Sequence, residues 1–459
     1  MADNTQYTQF ELSKDFLVNL KSLIEADDNK AINDLFEELH AADIAEILSE
    51  LNSEEAKLVY LNLEHEKAAD ALSELEDDVR DKFLKVLPSD IIAEKFIKNL
   101  ESDDAADIIG DLPEDKKAEV LSNIEDIEQA DDIIDLLNYD EDTAGGLMAK
   151  ELIAVNENLT VRRCIIELRA QAEDVKEVYY IYVVDDNNKL IGTLSLKKLL
   201  LASTNQIIKD ICNTEVISAK TSDDSEEVAQ TMKKYNLVAL PVVDDIGRLT
   251  GRITIDDIVD VITEEAEKDY QMISGLTEDV ESGDTVFKLT KARLPWLLIG
   301  LVGGIFGAGI IGHFEGDIMK YAGLALFLPL IAAMGGNAGV QSSSIVVQSL
   351  AANNAGLDSI GTKLFKEFGV AIINALILSA LIFSYTFFFH ESIHLTLSVS
   401  VALFSVIIFA SIFGTFVPLI LDKLKIDPAL ATGPFITTVN DIMGLLIYLS
   451  IARIIFGYF

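Results

Sequence analysis

Five apolar stretches toward the end of this chain set the strongest limit on what it can fold into. They run approximately Leu294–Phe314, Tyr321–Leu350, Phe368–Phe389, Leu395–Leu421 and Ala431–Phe456. As a helix, each is long enough to cross about 30 Å of hydrocarbon. Hydrocarbon offers the backbone no hydrogen bonds, so such segments are expected to be helical spans. The fifth carries a carboxylate, Asp441, in its interior. A charge there is costly, and such residues ordinarily face a bundle interior or a water-filled path. Helical steps from Asp441 bring Thr437, Gly444 and Tyr448 to one side, with Thr438 and Asn440 alongside. Ile442, Leu445, Leu446 and Leu449 fall opposite, suited to lipid or packing. The competing reading is a structural Asp441 paired with Arg453, about three turns away.

The second stretch contains Met334-Gly-Gly-Asn-Ala-Gly-Val-Gln-Ser-Ser-Ser344. Its adjacent glycines predict a broken helix lining a cavity. Asn337, Gln341, Ser344 and Gln348 make a polar stripe; helix packing alone would also use such residues. Lys288, Lys291 and Arg293 precede the first span, Lys363 and Lys366 the third, and Lys423 and Lys425 follow the fourth. Basic residues stay on the cytoplasmic side, which puts the N-terminal part inside and the C-terminus outside. Trp296 marks a lipid interface.

The formal net charge is −40, and residues 281–459 contribute only one unit of it. The acidic part repels nucleic acid and anionic lipid and attracts cations. Its regular Leu, Ile and Ala spacing argues against disorder. Cys164 and Cys212 give no disulfide framework, which fits a reducing compartment. The first residues contain no apolar signal region. From about Asp15 to Tyr139 the pattern is helical, with the related starts AADI at Ala41, AADA at Ala68 and AADI at Ala105. Stacked short helices forming a superhelix follow from such a repeat. Asp103, Asp107 and Asp111 share one face at i, i+4 and i+8, where like charges are mildly destabilising.

After Gly145-Gly146 strands and helices alternate. Tyr180–Leu200 repeats as Ala239–Asp260, with Val183 matching Val242 and Gly192 matching Gly251. This tandem resembles a pair of CBS domains, modules that often sense adenine nucleotides or ions. The second copy keeps the ribose-binding pattern as Thr254-x-x-Asp257, which makes ATP a candidate ligand; the first has Ser195-x-x-Lys198. An acidic helix then runs on from Asp256 with Asp257, Asp260, Glu264, Glu265, Glu267 and Asp269. One motif competes: His390-Glu391-Ser392-Ile393-His394 matches the zinc-protease H-E-x-x-H. It falls where the third span gives way to the fourth, has no obvious third ligand nearby, and reads as a loop.

One Asp per subunit among Thr, Asn and backbone oxygens suits a hydrated divalent ion that must also leave. A single carboxylate per chain implies a homodimer with two Asp441 side chains on a common axis. Taken together the chain resembles the MgtE family of magnesium channels over nearly its whole length. The resemblance rests on Gly335-Gly336-Asn337-Ala338-Gly339 with Gln341-Ser342, and on Asp427-Pro428-Ala429, Gly433-Pro434, Thr437, Asp441 and Gly444. It implies an all-α superhelix (1–140), α/β tandem CBS domains (141–262), an acidic connecting plug helix (263–290) and a five-helix pore domain (291–459). It also implies a cell-membrane homodimer, in contact with lipid and not with nucleic acid, that is not an enzyme. Its pore would select Mg²⁺ at Asp441, and cytosolic Mg²⁺ would close it by bridging acidic domains. The regulatory acids would be Asp103, Asp107, Asp224, Glu226, Asp256, Asp257, Asp260, Glu265 and Asp269. Asn236, Lys268 and Gly433 depart from residues that some relatives carry. The alternatives are a Mg²⁺ transporter coupled to Na⁺ or H⁺, and an intramembrane zinc metalloprotease.

Overall fold

The structure is a computed structural model that describes residues 10–75, 77–172, 175–277, 280, 284–351, 360–389, 392–431 and 433–458. His390 and Glu391 of the H-E-x-x-H motif lie outside the described residues. The chain divides into two units, Met1–Ile262 and Thr263–Phe459.

The first unit opens with short helices: α1 (Lys14–Glu25), α2 (Asn29–Phe36), α3 (Ala41–Ser49), α4 (Ser53–Asn62), α5 (His65–Ser73), α6 (Asp77–Val86) and α7 (Ser89–Ile91). From α7 the chain runs on through a π-turn (Ile92–Phe96) and a 3-10 turn (Ile97–Asn99) to α8 (Ser102–Gly110), α9 (Glu114–Asn123) and α10 (Ile127–Leu136). Local chemistry starts them. Asn52 accepts from the amides of Glu54 and Glu55 at 3.1 and 3.0 Å while Glu55 accepts from the Asn52 amide at 3.1 Å, a reciprocal cap. Each helix buries one face, and Tyr60 stacks on Phe83 at 4.1 Å with Phe96 edge-on at 5.7 Å.

A ladder of long polar side chains ties successive helices together. Lys67 donates to the Phe36 carbonyl, Lys95 to those of Leu61 and Leu63, Lys116 to those of Leu84 and Leu87, and Gln129 to that of Ile97. Each rung returns to carbonyls about thirty residues earlier, at the turns that close the preceding helices. Helix ends need such partners. The superhelical repeat is therefore better marked by these donors than by the AAD motifs. Ala41 begins its helix, whereas Ala68 and Ala105 sit buried a turn inside theirs.

Next come β1 (Ile153–Asn156), α11 (Val161–Gln171), β2 (Ile181–Val184), β3 (Leu190–Leu194), α12 (Leu196–Leu201) and α13 (Ile208–Ile211). The second repeat gives β4 (Ala219–Lys220), α14 (Ser225–Tyr235), β5 (Ala239–Val243), β6 (Leu249–Thr254) and the start of α15 (Ile255–Ser274). Both sheets have the same topology, a parallel pair followed by an antiparallel one. Val183 pairs with Gly192 as Val242 pairs with Gly251, and a bulge follows each valine. The internal duplication thus fixes register as well as fold. Asn236, at φ +51°, is the left-handed cap of α14, a conformation that Asn tolerates.

The second unit holds α16 (Val286–His313), α17 (Glu315–Lys320), a 3-10 turn (Ala322–Phe327), α18 (Leu328–Ala351), α19 (Ile360–Phe389), α20 (Ile393–Lys423), a 3-10 turn (Pro428–Ala431) and α21 (Pro434–Tyr458). Among the described residues, five helices are long and apolar enough to cross a membrane. α20 is the buried centre, with Val399, Val406 and Ala410 inaccessible. The segment 263–290 is not one helix: α15 ends at Gly275, whose φ is +85°, and α16 begins at Val286.

The predicted break in the second span is absent, because α18 is continuous across Gly335 and Gly336. The glycines serve close approach instead. A side chain at Gly339 would collide with Asn440 of α21, and one at Gly414 of α20 with the Gly339 carbonyl. Small residues let helices meet backbone to backbone where no water drives them together.

Candidate functional site

The membrane carboxylate sits where two helices meet. Gly336 of α18 faces Thr437 and Asp441 of α21, and a Cβ there would lie 3.3 Å from Asp441 Oδ1. The Thr437 hydroxyl donates to the Gly433 carbonyl at 2.8 Å. Arg453 is engaged elsewhere: its Nε lies 2.7 Å from Asp317 Oδ2, and its guanidinium stacks 4.1 Å over Phe314. The structural pairing with Asp441 is thereby excluded. The face predicted to be polar or small divides in two. Tyr448 is buried and donates to the Leu324 carbonyl at 3.0 Å, and Gly444 packs near Val406 and Ile331. On the opposite face Leu445 packs against Gly307 of α16, and Thr438, predicted on the polar side, meets Gly303 of the same helix. Asn337, Gln341 and Gln348 are exposed along α18.

The end of α15 docks at the start of α21. Gly433 has φ +48°, and a Cβ there would strike the Ile273 carbonyl; one at Gly275 would lie 2.6 Å from Pro434 Cγ. Just beyond, both the amide and the hydroxyl of Thr277 donate to the Ala292 carbonyl at 3.1 Å. Gly433 thus lets the helix end sit this close, since a side chain there would fill the space.

In the first unit the acids converge at the N-terminus of α8. Asp103, Asp104 and Glu101 lie within electrostatic reach of Asp257. Burial and then the charge of Asp257 hold the Asp103 carboxyl well above the ordinary range. Burial and then Asp257 push Asp104 up to about 7, against the opposing pull of Lys176. Burial pushes Asp257 up to about 6, although the Thr254 amide and hydroxyl donate to it at 3.0 and 2.9 Å. These carboxylates carry more charge than the protein neutralises, which is the condition for attracting a cation. Among the described residues no three His, Cys, Asp or Glu side chains form a ready metal cage. A hydrated ion held through water fits such a face better than a dehydrated one.

The other predicted acids distribute differently. Asp107 lies at the outer face of α8, yet desolvation and then the charge of Asp104 push its carboxyl up to about 7, against the pull of Arg80, and Asp111 is paired with Arg80 at 2.9 Å. Asp224 caps α14, accepting from the Glu226 amide at 3.0 Å, and Glu226 accepts from Gln230 at 2.9 Å. With Asp140, Glu141, Asp142 and Ser222, Asp224 lines a separate open cleft of about 520 Å³. Asp256 accepts from the Thr254 hydroxyl. Burial and then Asp256 raise the Asp260 carboxyl. Glu265 is bonded to Lys268 at 3.0 Å, which gives that lysine a local role. Asp269 lies farther along α15. Thr254 and Asp257, predicted to hold a ribose, are here bonded to each other.

Sequence reading missed Glu101, Asp104 and Glu141. Asp104 was legible only as the neighbour of Asp103 before an Ala-Ala pair, and nothing in the helical period distinguished it. Glu367 was also missed: on α19, it accepts from Ser342 of α18 at 2.7 Å.

The family described as "Divalent cation transporter" matches residues 328–451, an "MgtE intracellular N domain" matches 39–142, and CBS domains match 144–205 and 208–264. The chain is 34% identical to the magnesium transporter MgtE of Thermus thermophilus over 95% of this chain and 98% of that protein. It is 32% identical to the Bacillus subtilis protein of the same name, over 91% and 92% respectively. Among solved structures, the cytosolic domain of the Mg²⁺ channel MgtE in complex with ATP is similar, with 36% identity and a TM-score of 0.50. That match covers 53% of this chain and 99% of that one.

Proposed function

Because this chain belongs to the MgtE family of divalent cation transporters, we propose that it is a Mg²⁺-selective channel in the cell membrane, closed by cytosolic Mg²⁺. The observation that carries this reading is Asp441, an intramembrane carboxylate set against the small face of α18 while Arg453 is engaged elsewhere. A carboxylate left available in this way can hold a hydrated ion weakly enough to release it. The exposed Asn337, Gln341 and Gln348 on α18 would be costly in lipid. A second copy related by a two-fold axis would cover them and bring two Asp441 side chains to one path.

The acidic face of α8 and α15 supplies the sensor. Without divalent ions the carboxylates repel; with ions between them, the closed arrangement is favoured by its differential affinity. The docked end of α15 beside Gly433 and Pro434 supplies a mechanical route from α15 to the pore helix. The ATP complex of the similar cytosolic domain supports nucleotide binding by the CBS pair as a further property. The chain is a transporter rather than an enzyme.

The test is single-channel recording of Asp441→Ala. It should abolish Mg²⁺ current while the purified protein keeps its elution volume and helical content. Normal current would remove Asp441 as the selectivity site. Mg²⁺ flux that requires a Na⁺ or H⁺ gradient would favour coupled transport.

A further inference from the structure

We propose that Arg252 and Lys176 are built-in counter-cations of the sensor, holding α8 against the second CBS repeat and lowering the divalent-ion concentration at which it closes. This rests on the gating reading above and names how that gate is set.

Arg252 lies in the middle of β6 and is only 3% exposed. Its Nη2 donates to both carboxylate oxygens of Glu101, at 2.9 and 3.1 Å, and its Nε donates to the Glu151 carbonyl. The guanidinium also lies 5.7 Å from the Tyr179 ring. Glu101 immediately precedes α8 and makes no capping bond to it. Its side chain is spent on Arg252 instead. The cap is supplied from the CBS side, where the Glu151 carboxylate accepts from the Ser102 amide at 3.1 Å and the Ser102 hydroxyl at 2.8 Å. The Lys150 amide donates to that hydroxyl at 2.8 Å, and Ala149 and Arg252 exchange backbone bonds at 2.8 and 2.9 Å. The start of α8 is thus fastened directly to β6.

Lys176 makes a second tether. Its ammonium lies 2.7 Å from Asp70 of α5 and within electrostatic reach of Glu101 and Asp104. A buried arginine on a strand is expensive unless paired. Here its partner belongs to the helical domain, so the cost is recovered only while the two domains are in contact. Each tethered cation cancels one carboxylate that an ion from solution would otherwise have to neutralise.

A counter-cation and a mere spacer differ in whether charge alone restores the contact. Arg252→Gln and Lys176→Gln remove a positive charge, whereas Lys176→Arg keeps it. The experiment is hydrogen exchange of the α8 amides in full-length protein, titrated with MgCl₂ at constant ionic strength. Arg252→Gln and Lys176→Gln should raise the half-protecting Mg²⁺ concentration on the order of tenfold each. Glu101→Gln leaves Arg252 buried without its carboxylate partner and should raise it as well, while Lys176→Arg should stay near wild type. An unshifted midpoint in Lys176→Gln, or the same shift in Lys176→Arg as in Lys176→Gln, overturns the proposal and leaves the gating reading standing. Lys176, half exposed, keeps the test open if Arg252→Gln does not fold. If Mg²⁺ fails to protect wild-type α8, the gating reading falls. The tether is then judged on ion-free protection, which must fall in both Lys176→Gln and Glu101→Gln.

Discussion

Replacing Asp104 by Asn should make the closed contact largely independent of divalent ions. The side chain keeps its shape and loses a charge that the fold disfavours. Its carboxyl is held near 7 instead of 3.8 by burial, then by Asp257, with Lys176 pulling the other way. Three units correspond to about 4 kcal/mol as an upper limit. Coupling to its acidic neighbours and partial access to water reduce this to about 2 kcal/mol, or roughly 30-fold in the closing equilibrium. Hydrogen exchange of α8 amides in EDTA should therefore slow by about that factor. Exchange in saturating Mg²⁺ should change little, because the ions already neutralise the face. Asp115→Asn on the exposed side of α9 removes the same charge elsewhere and should have no such effect. If Asp104→Asn exchanges as fast as wild type in EDTA, repulsion at α8 does not hold the sensor apart, and the electrostatic account of closing fails.

Other perturbations separate the parts. Neutralising Asp256, Asp257 and Asp260 together should leave Mg²⁺ current intact but weaken inhibition by internal Mg²⁺, read in patch-clamp recordings; unchanged inhibition would refute it. Asp103, Asp104 and Asp257 have raised values, so ionising them opposes the contact. That penalty is absent below about pH 4 and, for Asp104 and Asp257, is complete above about 7. Ion-free α8 protection, corrected for intrinsic rates, should accordingly be greater at pH 5.5 than at 7.5. Mg²⁺ should narrow the difference. Gly433→Ala should push the end of α15 off α21 and leave residual current at internal Mg²⁺ that silences wild type; complete closure would show that this approach is not needed. Lys95→Met strips the Leu61 and Leu63 carbonyls of a buried donor. It should cost about 2–3 kcal/mol in thermal unfolding, with unaltered single-channel conductance.

Much of this architecture was legible in the chain because its causes are local. Apolar runs long enough for hydrocarbon have few other destinations, so the five spans could be read directly. The duplicated CBS pattern carried even its strand register, since Val183 with Gly192 and Val242 with Gly251 pair alike. Asp441 stood out because a carboxylate in an apolar helix is costly wherever the neighbours lie.

What only the tertiary structure decided concerns partners. The Gly335-Gly336 pair suggested a broken helix, but a glycine's role depends on what approaches it, and here α20 and α21 do. Arg453 could have neutralised Asp441 by composition; the fold gives it to Asp317. The acids of the sensor looked alike along the helical period, yet only some face one another. Asp103, Asp104 and Asp257 converge, Asp111 is neutralised by Arg80, and Asp224 lines a different cleft. A carboxylate's charge is written in the sequence. Whether that charge is paid off by a neighbour or left for an ion is set by residues up to 151 positions away, as Glu101 and Arg252 are.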